Sequence, residues 1–208
     1  MQVICLDLEG VLIPEIWIEF SMRTGIPEFS RTTRDEPDYD KLMRFRIALL
    51  KQHRLKLADI QNAIGGMAPM DGAKAFLDEL RTRFQVIILS DTFYEFAEPM
   101  TRQLGRPTLF CHKLVIDAAG FVSDYKLRQP NQKAAAVNAL KGLNFQVIAA
   151  GDSYNDIGML GAADAGFFIH PPEGIVAQFP QYPVNRSYAE LKESIDEAAL
   201  RLLGVTAQ

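Results

Sequence analysis

Cysteine is nearly absent from this chain of 208 residues: Cys5 and Cys111 are the only two. They share no C-x-x-C spacing, which argues against both a disulfide framework and a zinc site. Cys5 falls inside a buried-strand pattern and reads as a small core residue. An excess of basic charge is lacking too. With 22 Lys and Arg against 26 Asp and Glu the net charge is −4, and nucleic-acid binding loses the basic face it needs. A small anionic substrate stays compatible, because a few local cations and a metal outweigh a mildly negative surface. Long apolar runs are missing: no stretch approaches the roughly 18 residues needed to span a bilayer. The first apolar run has no basic segment ahead of it, and Asp7 and Glu9 interrupt it too early for a signal peptide. No membrane partner is expected, and a cytoplasmic location is. Histidine is scarce, and His53, His112 and His170 share no metal-ligand spacing; they read as surface or hydrogen-bonded residues. No internal repeat or low-complexity tract is visible.

What is present is an ordinary soluble composition, 48% apolar and 23% charged, long enough for a real core and a smaller accessory domain. A strand over about Gln2–Asp7 is followed by some 55 residues of helical periodicity: Glu15–Thr24, Tyr39–Gln52 with its stripe of Leu42, Met43, Ile47, Leu49 and Leu50, and Leu57–Ile64 stopped by Gly65-Gly66. Arg31–Asp38, polar and carrying Pro37, reads as a loop. Asp35, Glu36, Asp38 and Asp40 read as a solvated acidic stretch. After Pro69 the pattern alternates: helix Asp71–Phe84, strand Val86–Leu89, helix Phe93–Leu104, a short strand Thr108–Cys111, and a hairpin of Lys113–Asp117 and Phe121–Lys126 around Ala118-Ala119-Gly120. Then come helix Gln132–Leu143, strand Val147–Ala150, helix Asn155–Ala163, strand Gly166–Ile169 and a last helix, Tyr188–Leu203. Such alternation indicates an α/β fold with a parallel sheet covered by helices. The helical block before Pro69 is then an inserted cap, giving a core domain of residues 1–13 and 70–208 and a cap of residues 14–69.

Three apolar runs end on residues suited to phosphate chemistry. Met1–Leu6 leads into Asp7-Leu8-Glu9-Gly10, Val86–Leu89 into Ser90-Asp91-Thr92, and Val147–Ala150 into Gly151-Asp152-Ser153-Tyr154-Asn155-Asp156. Ligands sit at the carboxyl ends of buried parallel strands, so these groups are expected to gather into one metal-assisted phosphate site. Asp7 and Glu9, two apart at a strand end, project to the same side. A close carboxylate pair suits a nucleophile beside a general acid and base, although an acidic turn is the plainer reading of this pair alone. Asp152 and Asp156 fall on one face of a first helical turn. A single Asp there is usually a cap, but two, with Gly151 and Asn155, look like an oxygen-donor site for Mg²⁺. Ser90 offers a hydroxyl and the next backbone N–H to a phosphoryl oxygen, and Lys133 a neutralising charge. Phe93, Tyr94 and Phe96 read as core or interface positions on a helix, with Tyr154 bordering the site.

This set resembles the haloacid dehalogenase-like phosphatases. Their first motif, DxDx(T/V), appears as Asp7-Leu-Glu9-Gly-Val11, the second-motif serine as Ser90, the third-motif lysine as Lys133, and GDxxxD as Gly151-Asp152-Ser-Tyr-Asn-Asp156. The match runs in order over nearly the whole chain and implies a Rossmannoid parallel sheet flanked by helices, with an α-helical cap of type C1. Within that superfamily the chain is similar to phosphoserine phosphatases. The stretch Tyr39-Asp-Lys-Leu-Met-Arg-Phe-Arg46 is similar to a cap helix whose arginine grips the substrate carboxylate, a role that falls to Arg46. Glu15 matches the glutamate that meets the substrate amino group, Asn155 a residue near phosphate and metal, and Met70-Asp-Gly72-Ala73 the stretch re-entering the core. Two departures, Glu9 for the usual Asp and Asp91-Thr92 after Ser90, together with Ile16-Trp17, look like the subgroup that is both phosphoserine phosphatase and phosphoserine:homoserine phosphotransferase.

The resemblance implies a nucleophile at Asp7, an acid–base at Glu9, and Mg²⁺ held by Asp7, Asp152 and the Glu9 carbonyl with Asp156 behind it. It also implies a substrate shell of Glu15, Arg46, Ser90, Asp91, Thr92, Lys133 and Asn155. The expected partner is O-phosphoserine, with homoserine as a further acceptor, for a protein working as monomer or homodimer. Two rivals stay open: a phosphatase for another small phosphorylated metabolite, and a protein that accepts phosphate on Asp7 without turnover.

Overall fold

The computed structural model describes residues 1–32, 35–36 and 38–204; Pro37, in the expected loop, lies outside them. Seven strands form one sheet: β1 (Gln2–Leu6), β2 (Gln85–Phe93), β3 (Thr108–Ile116), β4 (Val122–Lys126), β5 (Gln146–Gly151), β6 (Ala165–Ile169) and β7 (Val184–Asn185). Their order across the sheet is β4-β3-β2-β1-β5-β6-β7. Every neighbouring pair is parallel except β3 and β4. β1 is central because Val3, Ile4, Cys5 and Leu6 are all apolar and are covered on both faces. The chain winds outward from β1 through β2 and β3, then returns to β1's other side with β5, so the switch point lies between β1 and β5.

The helices are α1 (Ile16–Thr24), α2 (Tyr39–Gln52), α3 (Leu57–Gly65), α4 (Ala73–Arg81), α5 (Tyr94–Gln103), α6 (Gln132–Gly142), α7 (Ile157–Ala162), α8 (Glu173–Gln178) and α9 (Tyr188–Leu202). Asp38 caps α2 by accepting from the Lys41 N–H at 3.2 Å, and Gly25, at φ +69°, ends α1 in the left-handed region. Helices α1–α3 are bound to the rest by an aromatic cluster: Trp17 stacks on Phe29 at 5.7 Å and meets Phe96 of α5 edge-on at 5.0 Å. The β3–β4 hairpin holds them from the other side, through Leu57 N–H to the Gly120 carbonyl at 3.0 Å and Arg44 to Asp124 at 2.8 Å.

Four sequence expectations change. The run Val86–Leu89 continues as strand through Ser90, Asp91 and Thr92 to Phe93, which therefore ends a strand rather than starting a helix. Leu89 pairs with Phe110 and Phe93 with His112, so residues 90–92 stand against Cys111 alone, a bulge of the kind that re-aims side chains at functional edges. The two strands expected on either side of His112 are one, β3. A 3₁₀ turn, Tyr154–Asp156, precedes α7. Helix α8 and the two-residue β7 were not anticipated at all. Among the described residues no helix is long and apolar enough to cross a membrane.

Candidate active site

Asp7 stands one residue past β1, its N–H tied to the Ala150 carbonyl of β5 at 3.0 Å. Its side chain is therefore set at the switch point. The following turn closes through Gly10 N–H to the Ile13 carbonyl at 2.8 Å and Ile13 N–H to the Leu8 carbonyl at 3.0 Å, a pattern that leaves the Glu9 carbonyl outside it. Gly10 has φ +75°, and a Cβ there would collide with the Asp152 carboxylate. A Cβ on Gly151 would collide with that of Asp156. The two glycines are what let backbone and carboxylates approach so closely.

Asp156 is fully buried and both its oxygens are used. Oδ2 accepts the backbone N–H groups of Asp152 and Ser153 at 3.0 Å each, and Oδ1 pairs with Lys133 Nζ at 2.7 Å. Lys133, on the first turn of α6, also reaches Asp7 Oδ1 at 2.9 Å. Asp7, Asp152 and Asp156 each offer a carboxylate oxygen within 4.8 Å of the others. Fully ionised, three carboxylates around one ammonium would carry a net charge of −2. Burial, then the Asp156 charge, holds the Asp7 carboxyl well above its ordinary range. Burial and then Asp156 push Asp152 up to about 7. Burial alone would depress the Lys133 ammonium, but Asp156, Asp7 and Asp91 hold it well above its usual value. Crowding of this sign and size is what a divalent ion relieves, and an all-oxygen donor set fits Mg²⁺. Asp156 is taken up by Lys133 and two backbone N–H groups, so among the three clustered carboxylates Asp7 and Asp152 are the ones that could turn an oxygen to such an ion.

Glu9 leaves the same edge in another direction. Its Oε2 accepts the Ile16 N–H of α1 at 2.9 Å. Burial, then the neighbouring Glu15, raises its carboxyl to about 7, against the pull of the Ile16 N–H, the Thr92 hydroxyl and Arg46. Glu15 itself is exposed at the start of α1. Arg46, buried on α2, lies with its guanidinium 4.4 Å from the centre of the Trp17 ring and donates from Nη2 to the Arg31 carbonyl at 2.8 Å. Its Nε is buried and has no hydrogen-bond partner among the described residues. Ser90 is buried in the bulge and its Oγ accepts the Thr92 N–H at 3.3 Å. Asp91 accepts from Asn155 Nδ2 at 3.2 Å and from Gln132 Nε2 at 3.3 Å.

The structure thus brings Asp7, Glu9, Ser90, Asp91, Thr92, Lys133, Asp152, Asn155 and Asp156 to one edge of the sheet, with Glu15 and Arg46 facing Glu9 from the helical segment. Sequence reasoning missed Gln132, whose side-chain amide also meets the Ser90 carbonyl, Trp17 as the platform under Arg46, and the Tyr39 hydroxyl, which donates to the Asp91 carbonyl at 3.2 Å. Each had a cue without a role: Gln132 stands beside Lys133, and Trp17 and Tyr39 fall in the stretches that carry the family likeness.

A doubly wound sheet with carboxylates and one lysine gathered at its switch point is the layout of an α/β enzyme acting on a small charged substrate. Residues 1–164 match the model of the haloacid dehalogenase-like hydrolases, and the chain belongs to that family. It is 54% identical over 205 residues to the phosphoserine phosphatase ThrH of Pseudomonas aeruginosa, covering 99% of this chain and 100% of that one. It is 53% identical to a phosphoserine phosphatase of Pseudomonas syringae pv. tomato, covering 98% and 86%. Among solved structures, a phospho-aspartyl intermediate analogue of a phosphoserine phosphatase superposes with a TM-score of 0.75 over 93% of this chain and 98% of that one. At 20% identity that likeness carries the fold alone.

Proposed function

We propose that this protein is a cytoplasmic, Mg²⁺-dependent phosphatase of O-phospho-L-serine that also transfers the phosphoryl group to the hydroxyl of homoserine. Residues 14–69 act as its cap. The buried Arg46 carries the choice of substrate. Its Nε donor has no partner among the described residues and its charge faces Glu9 and Glu15, an arrangement completed by a ligand carboxylate with an ammonium beside it. The names of the relatives at 54% and 53% identity support the same substrate.

An Asp7 oxygen attacks phosphorus and the serine oxygen leaves, giving an aspartyl-phosphate. Glu9, with its carboxyl near 7, donates its proton to the departing oxygen. It then takes a proton from the acceptor hydroxyl, which attacks phosphorus and frees Asp7. Water as acceptor yields inorganic phosphate; homoserine yields its O-phosphate. Lys133 and Ser90 balance and orient the phosphoryl oxygens, and Asp156 holds Lys133 and the 152–153 backbone still. Bound Mg²⁺ supplies charge neutralisation on the transferring phosphoryl group.

A phosphate-release screen over small phosphoesters with MgCl₂, with and without homoserine, tests both halves. Phosphoserine is expected to lead the ranking, and added homoserine to lower phosphate release while O-phosphohomoserine appears. A different leading ester overturns the substrate, absence of phosphohomoserine overturns the transfer, and absence of any release overturns the enzyme.

A further inference from the structure

Asp91 is an awkward neighbour for a phosphate. It is a fourth carboxylate beside a cluster already at net −2, half-exposed, and one residue from Ser90. Its surroundings explain its presence. Oδ2 faces Asn155 Nδ2 at 3.2 Å and Lys133 Nζ at 4.0 Å. Oδ1 faces Gln132 Nε2 at 3.3 Å and His112 Nε2 at 3.7 Å. The His112 ring is buried on β3, and its Nδ1 accepts the Arg128 N–H at 3.1 Å. A neutral ring therefore carries its proton on Nε2, the edge turned to Asp91.

The partners are fixed in turn. Asn155 is held at both ends, by Asp91 and by the Ser153 hydroxyl. Gln132 gives its amide N–H groups to Asp91 and to the Ser90 carbonyl, while its Oε1 is buried without a partner among the described residues. Turned over, that amide would set its oxygen against two acceptors, so Asp91 and the Ser90 carbonyl decide its orientation. Three members of the expected substrate shell (Ser90, Lys133, Asn155) each touch Asp91 or a partner of Asp91.

We infer that Asp91 is a positioning residue, braced from behind by His112, which fixes Asn155, Gln132 and the Ser90 bulge instead of contacting the phosphoryl group. The inference rests on the phosphoryl-transfer reading above. It makes opposite demands on one substitution. Asp91→Asn keeps the shape and removes a negative charge. If Asp91 lay against phosphate, losing its charge would tighten anion binding. If it positions its neighbours, whichever way the new amide turns its NH₂ meets a donor of Asn155 or Gln132, and binding weakens.

The experiment is a calorimetric titration of the full-length protein with inorganic phosphate in MgCl₂, alongside phosphate release from phosphoserine. Asp91→Asn is expected to bind phosphate at least about 3-fold more weakly and to lose on the order of 10- to 100-fold in kcat. The Asp91→Ala/Asn155→Ala double variant is expected to lose less than the product of the two single losses, because part of what Asp91 does runs through Asn155. His112→Gln, remote from the ligand, is expected to shift both readouts in the same direction by less, and it supplies the test if Asp91→Asn melts early. Phosphate binding by Asp91→Asn as tight as wild type or tighter, or effects that multiply in the double variant, overturns the inference alone. A wild-type protein that neither binds nor releases phosphate overturns the underlying reading and this inference with it.

Discussion

Lys133 and Arg46 are both buried cations facing carboxylates, and they are held in different ways. Lys133 sits on the floor of the site with ion pairs of 2.7 and 2.9 Å. Arg46 hangs from the helical segment on a carbonyl, a sulfur and the face of Trp17, with no ion pair among the described residues and its Nε unpartnered. The floor pairs its cation fully and keeps an excess of carboxylates, Asp7, Asp152 and Asp156. The roof keeps a buried donor open, Arg46 Nε. On the proposed function the difference separates two tasks: the sheet edge would prepare phosphoryl chemistry before substrate arrives, and the helical segment would recognise what carries the phosphate.

The hardest strike at the floor is Asp7→Asn. Turnover is expected to fall by at least about 1,000-fold, since an amide oxygen is not a usable nucleophile. The fold persists, because relief of crowding among Asp7, Asp152 and Asp156 offsets the lost bond to Lys133; a thermal melt within about 3 °C of wild type shows it. Activity near wild type would remove Asp7 from the reaction. Lys133→Met strips the floor of its cation. Leaving buried carboxylates unpaired costs about 3–5 kcal/mol, measured by urea unfolding. Mg²⁺ is expected to stabilise this variant more than wild type, since an ion bound only by the folded state adds its binding energy. Equal stability without Mg²⁺ would mean that Lys133 is not what holds the cluster together.

The roof responds differently. Arg46→Ala is expected to lower kcat/KM for phosphoserine by about 100-fold, the loss of a buried charge-assisted pair. Turnover of p-nitrophenyl phosphate, which has no carboxylate to grip, should stay within about 3-fold. Equal losses on both substrates would place Arg46 in the folding of α2 rather than in recognition.

The floor was far more legible in the sequence than the roof. Asp7, Glu9, Asp152 and Asp156 follow unbroken apolar runs, and parallel topology alone brings such strand ends together. The course of β2 was not legible, because Ser90-Asp91-Thr92 looks like a strand ending and only the pairing of Leu89 with Phe110 and Phe93 with His112 exposes the bulge. A polar residue such as His112 breaks an apolar run and splits β3 in two by pattern alone, whereas the structure gives its Nδ1 the Arg128 N–H and turns its Nε2 toward Asp91 at 3.7 Å. Helix α8 is short and follows two prolines, and β7 has two residues, too few for any period to register. On the roof, only likeness to a cap helix singles out Arg46. The Trp17 ring beneath it lies 29 positions away, with no pattern linking the two.

The smallest expected effect asks whether the stiffness of the floor extends back to His112. Burial holds this imidazole below its ordinary value of about 6.5; Asp91 pulls it upward, while Arg128 and Lys133 push it down. A lowered value in the folded state means that the unfolded chain binds the extra proton first. Stability contributed by the neutral ring is therefore fully present above about pH 6.5 and is lost as pH falls through the folded-state value. Wild type is expected to lose about 2–4 °C more in melting temperature between pH 7 and pH 5 than His112→Gln, whose amide keeps an acceptor for the Arg128 N–H and does not titrate. Parallel melting curves would show that His112 accepts a proton without strain, and the brace behind Asp91 would then be soft where the floor in front of it is rigid.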